Sequence, residues 1–399
     1  MDDAVSKALQ HTETTRVVEV GRGVLTNSGR IINDLLVDEG KPGLLVADER
    51  TWQAAGAAVQ DSLRAAGAEL VEPMVFPGTP TLYAAYEHAE EIRERLRGRG
   101  AVGVAIGSGT LNDLVKLASG ELDQPYAVVG TAASMDGYTG FGAPMTRGGL
   151  KITMPCPAPR VVVFDLDVAA AAPAPMAASG YGDLSAKIPA GADWILADVV
   201  GVDPIDQLAW ELVQGGVKQA LSRPDELAAG VPEAYAGLCN GLVLSGLAMQ
   251  VARGTRPASG AEHYFSHLWE LDHLGAELDP PLSHGFKVAI GTLAMTAFYE
   301  RFLVRDVAAL DLDAVVSSWP SWDEVAADIA KTMSGPLIDK GLNETREKYV
   351  DAEGLRARLG RLVSTWPQTK QRLEAQLIPA QQQQRMLVAA GAPSRPEDI

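Results

Sequence analysis

In the first 165 residues, short apolar runs alternate with stretches of helical spacing. Residues 43–47, 71–76, 101–106, 126–129 and 161–164 are valine-rich and short, as buried strands are. Residues 51–66 separate the first two runs with helical periodicity and close on Gly67. Residues 81–96 fill the next gap in the same way. Strands alternating with helices predict βαβ units and a mostly parallel sheet, with right-handed crossovers gathering the strand C-termini on one ligand-binding edge.

Beyond about Val168 the strand pattern stops. The Ala/Pro-rich run 169–178 reads as a boundary, and nearly everything after it has helical spacing. Ser321-Trp-Asp-Glu324 and Ser259-Gly-Ala-Glu262 both fit the capping box that opens a helix. The prediction is an α/β Rossmann-like nucleotide domain over residues 1–168 and an all-α domain over 169–399, with a cleft between them. The Gln-rich 381–384 stretch and the tail are read as a surface helix end and a frayed terminus.

Composition narrows the function classes. A net charge of −17 argues against nucleic acid or an anionic membrane as partner, but not against a small anionic substrate held by a local cluster of donors. Cys156 and Cys239 lie far apart without a CxxC spacing, which predicts two reduced thiols. The polar N-terminus, with Asp2, Asp3 and Glu13, lacks an apolar leader core, so a cytoplasmic location is expected. The apolar stretch 238–251 is interrupted by Asn240, Ser245 and Gln250 and reads as a buried helix.

Two loops offer chemistry. Gly107-Ser108-Gly109-Thr110-Leu111 follows an apolar strand and opens a helix, where backbone N–H groups and the helix dipole favour a pyrophosphate. It is not a GxGxxG turn, and a plain tight turn would look similar. Thr131-Ala132-Ala133-Ser134 leads into Asp136-Gly137, which suits either close approach of a ring or phosphate or an ordinary turn. Asp48 ends an earlier strand, where an acid could meet a ribose or simply end the strand.

His263 and His267 are spaced i, i+4 on an expected helix, a spacing that can place two imidazoles on one metal. It equally suits a structural pair. His284 and Asp183 could complete a mixed site with an open position. His273, His11 and His88 carry no such argument.

Taken in order, the motifs are GSGTLND, TAASMDGY, GDLxAK, RPASGAEHxxSH and HGxxVxIG. Together they resemble the bacterial sn-glycerol-1-phosphate dehydrogenases, relatives of glycerol dehydrogenases, iron-type alcohol dehydrogenases and dehydroquinate synthases. The resemblance runs from Asp48 to Gly291 and implies the dehydroquinate synthase-like fold. It implies Asp183, His263 and His284 as ligands of one divalent metal, either zinc, nickel or iron. It also implies Asp136, His267 and Asp183 as substrate contacts, so that His263 alone of the i, i+4 pair is expected on the metal. Asp48, Gly107 to Leu111 and Thr131 to Ser134 are implied as the cradle for NAD(H) or NADP(H).

The expected reaction is reversible reduction of dihydroxyacetone phosphate to sn-glycerol 1-phosphate, with His267 or water supplying the proton and Asp136 also in the catalytic set. Asp48 should repel a 2′-phosphate, which favours NADH. Arg256 and Lys187 are the expected phosphate contacts, and a homo-oligomer is expected. Two departures from the family pattern stand out. Thr139-Gly140 replaces a usual serine-bearing stretch, and the segment between His267 and His284 is long and carries Pro280 and Pro281. The rival readings are a polyol or phosphono-alcohol dehydrogenase, a carbocycle-forming synthase, and a non-catalytic NAD-binding relative.

Overall fold

The computed structural model describes residues 3–399; Met1 and Asp2, the start of the polar N-terminus, lie outside the described residues. Among the described residues eight strands form: β1 (Val17–Gly21), β2 (Gly43–Asp48), β3 (Met74–Phe76), β4 (Val102–Gly107), β5 (Ala127–Gly130), β6 (Ala143–Arg147), β7 (Leu150–Met154) and β8 (Val161–Asp165). Six of them make one parallel sheet in the order β1-β8-β5-β4-β2-β3, and β6 and β7 pair as an antiparallel hairpin. The valine-rich runs are fully buried in β4, β5 and β8, as a sheet covered on both faces requires.

The chain leaves β2 toward β3 on one side and leaves β4 toward β5 on the other. Loops diverge at such a reversal and leave a crevice at the strand C-termini. Asp48 and Gly107 end the two strands flanking that crevice. Gly107 is paired in register with Gly130, so the loops beginning at Ser108 and Thr131 emerge side by side.

Several predicted elements shift. Of the 71–76 run, Met74–Phe76 forms β3 and Val71 N donates to Gly43 O at 3.0 Å, while Pro73, with no N–H to give, interrupts the ladder between them. The 51–66 helix is broken by a π turn at Trp52–Gly56 before α1 (Ala57–Ala65), with Gly67 at φ +80° reversing the chain as expected. The 81–96 helix starts later, as α2 (Tyr86–Arg99), since Ala85 is extended and bridges to Thr146 of β6. Strand β1 and the β6–β7 hairpin were not anticipated. A third helix, α3 (Gly109–Gly120), follows β4 directly.

Past Val168 the chain is helical. The Ala/Pro run read as a boundary is itself largely helix: Leu166–Ala171, then the start of α4 (Ala174–Ser185), where proline is tolerated in the first turn. There follow α5 (Lys187–Val199), α6 (Pro232–Ala252), α7 (Ala261–Leu271) and α8 (His284–Leu303). Helix α6 is long and apolar enough to cross a membrane, but 67% of its most apolar window is buried inside the protein.

Two compact units emerge. The first comprises residues 3–193, 206–298 and 377–399 and holds the sheet together with α4, α6 and α7. The second comprises 194–205 and 299–376. Within it Phe302 meets Trp366 edge-on at 5.3 Å, and Arg372 pairs with Asp198. Ser321 and Glu324 form the expected capping box there.

Candidate active site

Helix α3 begins at the C-terminal end of β4. Its N-cap Ser108 is extended and makes no side-chain capping bond, so the first-turn N–H groups of the helix remain available to an anion. Gly107 is required sterically: a Cβ there would lie 2.4 Å from Leu111 Cδ1. Asp48 has a local task. Its Oδ1 accepts from Thr51 N at 2.8 Å, capping the turn that follows β2. Among the described residues Oδ2 has no hydrogen-bond partner.

The Thr131–Thr139 loop lies beside this helix and is braced from it. Lys116, 1% exposed, donates to Gly137 O at 2.9 Å and Gly142 O at 3.1 Å while pairing with Asp113 at 3.2 Å. Burial raises the Asp113 carboxyl and the Lys116 ammonium opposes it. Ala132 and Ala133 are buried, and Tyr138 donates its hydroxyl to Ala132 O.

Two of the polar residues that interrupt the apolar 238–251 run, Ser245 and Gln250, hold the far side of the loop. Ser245 donates to Asp136 Oδ2 at 2.8 Å, and Gln250 donates to Thr139 O at 2.6 Å. The Thr139 hydroxyl, one of the two departures, donates inward to Val243 O at 2.7 Å.

Two glycines set the position of Asp183. A Cβ at Gly180 would lie 2.0 Å from Ala133 O, and one at Gly182 would lie 2.5 Å from Gly285 O. Helix α4 can therefore approach the loop on one side and α8 on the other only through glycine. That approach gathers Asp183, His263 and His284, whose ligand atoms all lie within 4.8 Å of one another. Tetrahedral ligand atoms about 2 Å from one ion stand roughly 3.3 Å apart, so a small inward shift of these side chains would close them on a cation.

Both imidazoles are oriented. His263 Nδ1 lies 2.7 Å from Glu262 Oε1, and His284 Nδ1 lies 2.9 Å from Glu270 Oε1. A carboxylate only accepts, so each Nδ1 carries the proton and each Nε2 can offer its lone pair to a cation. His263 Nε2 is 3.6 Å from Asp183 Oδ1. One carboxylate and two imidazoles form a donor set that zinc, nickel and iron all accept, so the residues present fit a divalent metal.

Electrostatics support a cation here. Burial would raise the Asp183 carboxyl, but Lys187 and the two imidazoles hold it well below the usual carboxylate range. Burial pushes His263 down, yet Asp183 and Glu262 outweigh it and raise the ring to about 9. Lys187 is fully buried, 2.8 Å from Asp136 Oδ2 and 3.0 Å from Asp183 Oδ1. It is thus occupied between two carboxylates rather than pointing an unclaimed charge at a ligand. Asp136 also donates its backbone N–H to Asp183 Oδ2 at 2.9 Å.

His267 lies beside this cluster, its ring 6.0 Å from those of His263 and His284. Its Nδ1 is 3.6 Å from Glu270 Oε2 and its side chain is 56% exposed. Glu270 pulls His267 up, but burial and the two neighbouring imidazoles outweigh it. Arg256 is half-buried in the turn between α6 and α7. The Ser259 capping box does not form. The N-cap of α7 is Gly260, Ser259 Oγ bonds back to Thr255 O, and Glu262 spends its Oε1 on Gly260 N and His263.

The proline-bearing segment after α7 reaches the loop following β3, where Asp279 Oδ1 accepts from Thr81 N at 3.3 Å. His273, within it, adopts φ +58°.

Sequence reasoning missed Glu262, Glu270 and Lys151. Glu262 lies inside the Ser259 motif, where the capping pattern masks its contact with His263. Glu270 falls i+3 from His267 and i+7 from His263, so helical spacing alone could have found it. Lys151, on β7, lies 3.0 Å from Glu270 Oε2, and nothing in the pattern of an unanticipated hairpin marked it.

A family description, iron-containing alcohol dehydrogenase, matches residues 19–173. The chain is 34% identical to a glycerol-1-phosphate dehydrogenase [NAD(P)+] of Halalkalibacterium halodurans over 64% of each chain. It is 31% identical to one of Bacillus velezensis, covering 67% of this chain and 68% of that one. These matches therefore span about two thirds of the relatives' length. Among solved structures, glycerol dehydrogenase of Schizosaccharomyces pombe superposes with a TM-score of 0.58 at 19% identity over 91% of both chains, a likeness of fold.

Proposed function

Because this chain belongs to the glycerol-1-phosphate dehydrogenase family, within the iron-containing alcohol dehydrogenases, we propose that it interconverts dihydroxyacetone phosphate and sn-glycerol 1-phosphate with NAD(H) or NADP(H). The observation that carries the reading is the convergence of Asp183, His263 and His284 within 4.8 Å of one another, adjoining a loop that begins beside the helix N-terminus of α3.

In this reading Asp183, His263 and His284 hold a divalent metal, which when bound supplies Lewis acidity toward a carbonyl oxygen. The nicotinamide cofactor, when bound, supplies the hydride. The protein's own groups do the rest. The α3 N-terminus and residues 131–134 take up the cofactor's phosphates and ring. Asp48 Oδ2 meets the ribose, and its charge disfavours a 2′-phosphate, so NADH is preferred. Asp136 and Asp183 touch the substrate from positions fixed by Lys187, which saves reorganisation when charge develops. His267 passes a proton between water and the alcohol oxygen, a step its partly exposed ring suits.

The acidic chain is expected to act in the cytoplasm on small phosphorylated substrates, as a homo-oligomer, without nucleic acid or membrane as partner. Substituting His263→Ala tests the reading. Turnover should collapse by at least 100-fold while NADH binding, followed by its fluorescence, persists. Retained turnover would refute the metal assignment.

A further inference from the structure

Lys287 follows the proposed ligand His284 by one helical turn on α8. It is only 5% exposed, yet among the described residues its ammonium has no hydrogen bond or ion pair. A lysine so deeply set almost always has a partner. Burial lowers its pKa and Lys151 reinforces this, while Glu270 and Glu277 oppose. Its electrostatic neighbourhood therefore includes a second lysine. Lys151 reaches Glu270 Oε2 at 3.0 Å from β7 and keeps 27% of its side chain exposed.

The same Glu270 carboxylate also serves His284 Nδ1 at 2.9 Å and faces His267 Nδ1 at 3.6 Å. One carboxylate thus serves one lysine and two imidazoles and leaves Lys287 without a paired anion, a local excess of donors in a chain of net charge −17.

We propose that Lys287 and Lys151 form a phosphate-binding subsite beside His284 that receives the phosphomonoester end of the substrate. The inference rests on the functional reading above and relocates the phosphate contacts expected at Lys187 and Arg256. Lys187 is already held by Asp136 and Asp183. A dianion completes the coordination of Lys287 and shares Lys151 with Glu270, which sets the distance between the phosphate and the carbon next to the proposed metal ligands. The subsite adjoins α7 and α8, whereas the nucleotide's pyrophosphate has the N-terminus of α3 available.

The test uses zinc- or nickel-loaded protein and three probes: dihydroxyacetone phosphate, dihydroxyacetone, and inorganic phosphate as an inhibitor of dihydroxyacetone reduction. Lys287→Met and Lys151→Met should each lower the ratio of kcat/KM for the phosphorylated over the unphosphorylated ketone by roughly 10- to 100-fold. The inhibition constant of inorganic phosphate should rise in parallel, and Lys287→Arg should restore part of both. If the ratio and the phosphate inhibition stay at wild-type values, or if both ketones lose equally, the subsite is refuted while the dehydrogenase reading stands. If the wild-type protein turns over only dihydroxyacetone, but phosphate still inhibits it through these lysines, the anion subsite stands and the substrate assignment falls.

Discussion

The ammonium of Lys187 lies 3.0 Å from Oδ1 of Asp183, and both side chains are sealed from solvent. A buried pair of this kind is strongly destabilised when one partner is removed, because the remaining charge has no compensation. Here the ammonium also serves Asp136, so its loss would strand two carboxylates.

Lys187→Met should therefore lower unfolding free energy by on the order of 3–5 kcal/mol, read from urea denaturation of the metal-free protein. Added zinc should raise the stability of the variant more than that of the wild type, since a bound cation would restore part of the missing charge. Equal stabilisation of the two by zinc would separate Asp183 from the metal.

Glu270→Gln keeps the shape of the side chain but removes the charge that fixes the His284 ring and faces His267. Metal affinity, measured by competition with a chromogenic chelator, should fall by roughly 10- to 100-fold with the circular dichroism spectrum unchanged. Unaltered affinity would mean that His284 needs no such partner.

Gly182→Ala places a methyl group 2.5 Å from Gly285 O, where two helix backbones meet beside the proposed ligands. The expected cost is about 1–3 kcal/mol of stability, together with a loss of metal affinity as Asp183 moves away from His284. Gly98→Ala, inside α2 with open space around its Cβ, is the matched control, expected to leave metal affinity unchanged and to raise stability by up to about 1 kcal/mol.

Lys116→Met removes the clamp on Gly137 O and Gly142 O and leaves Asp113 buried without its cation. Stability should drop by on the order of 3–5 kcal/mol. Lys116→Met combined with Asp113→Leu should recover part of that loss, as measured by denaturant midpoint. No recovery would show that the loop clamp, rather than the ion pair, carries the effect.

The sheet was largely legible because its central strands are continuous valine-rich runs, a pattern forced by burial on both faces. Edge elements carry no such signal. Strand β1 includes Glu19, and β6 and β7 carry Thr146, Arg147, Lys151 and Thr153 among their apolar residues, so alternation is weak there. The resemblance named Asp183, His263 and His284, which the fold brings together from three separate helices.

What holds those ligands was hidden for a different reason. Glu262 and Glu270 look like ordinary helical charges until tertiary packing buries them, and Lys187, expected at a phosphate, is instead held between Asp136 and Asp183. The role of Gly180 and Gly182 likewise exists only through the backbones they meet. The Ser259 motif misled because Glu262 had a stronger partner in His263 than in a helix cap.

The most direct test of the central proposal is the initial rate of NADH oxidation with dihydroxyacetone phosphate, using metal-stripped protein before and after reloading with zinc or nickel and determining the product's configuration. The account predicts negligible rate without metal, restoration on reloading, and sn-glycerol 1-phosphate as the product. A metal-independent rate, or formation of the sn-3 enantiomer, would contradict it.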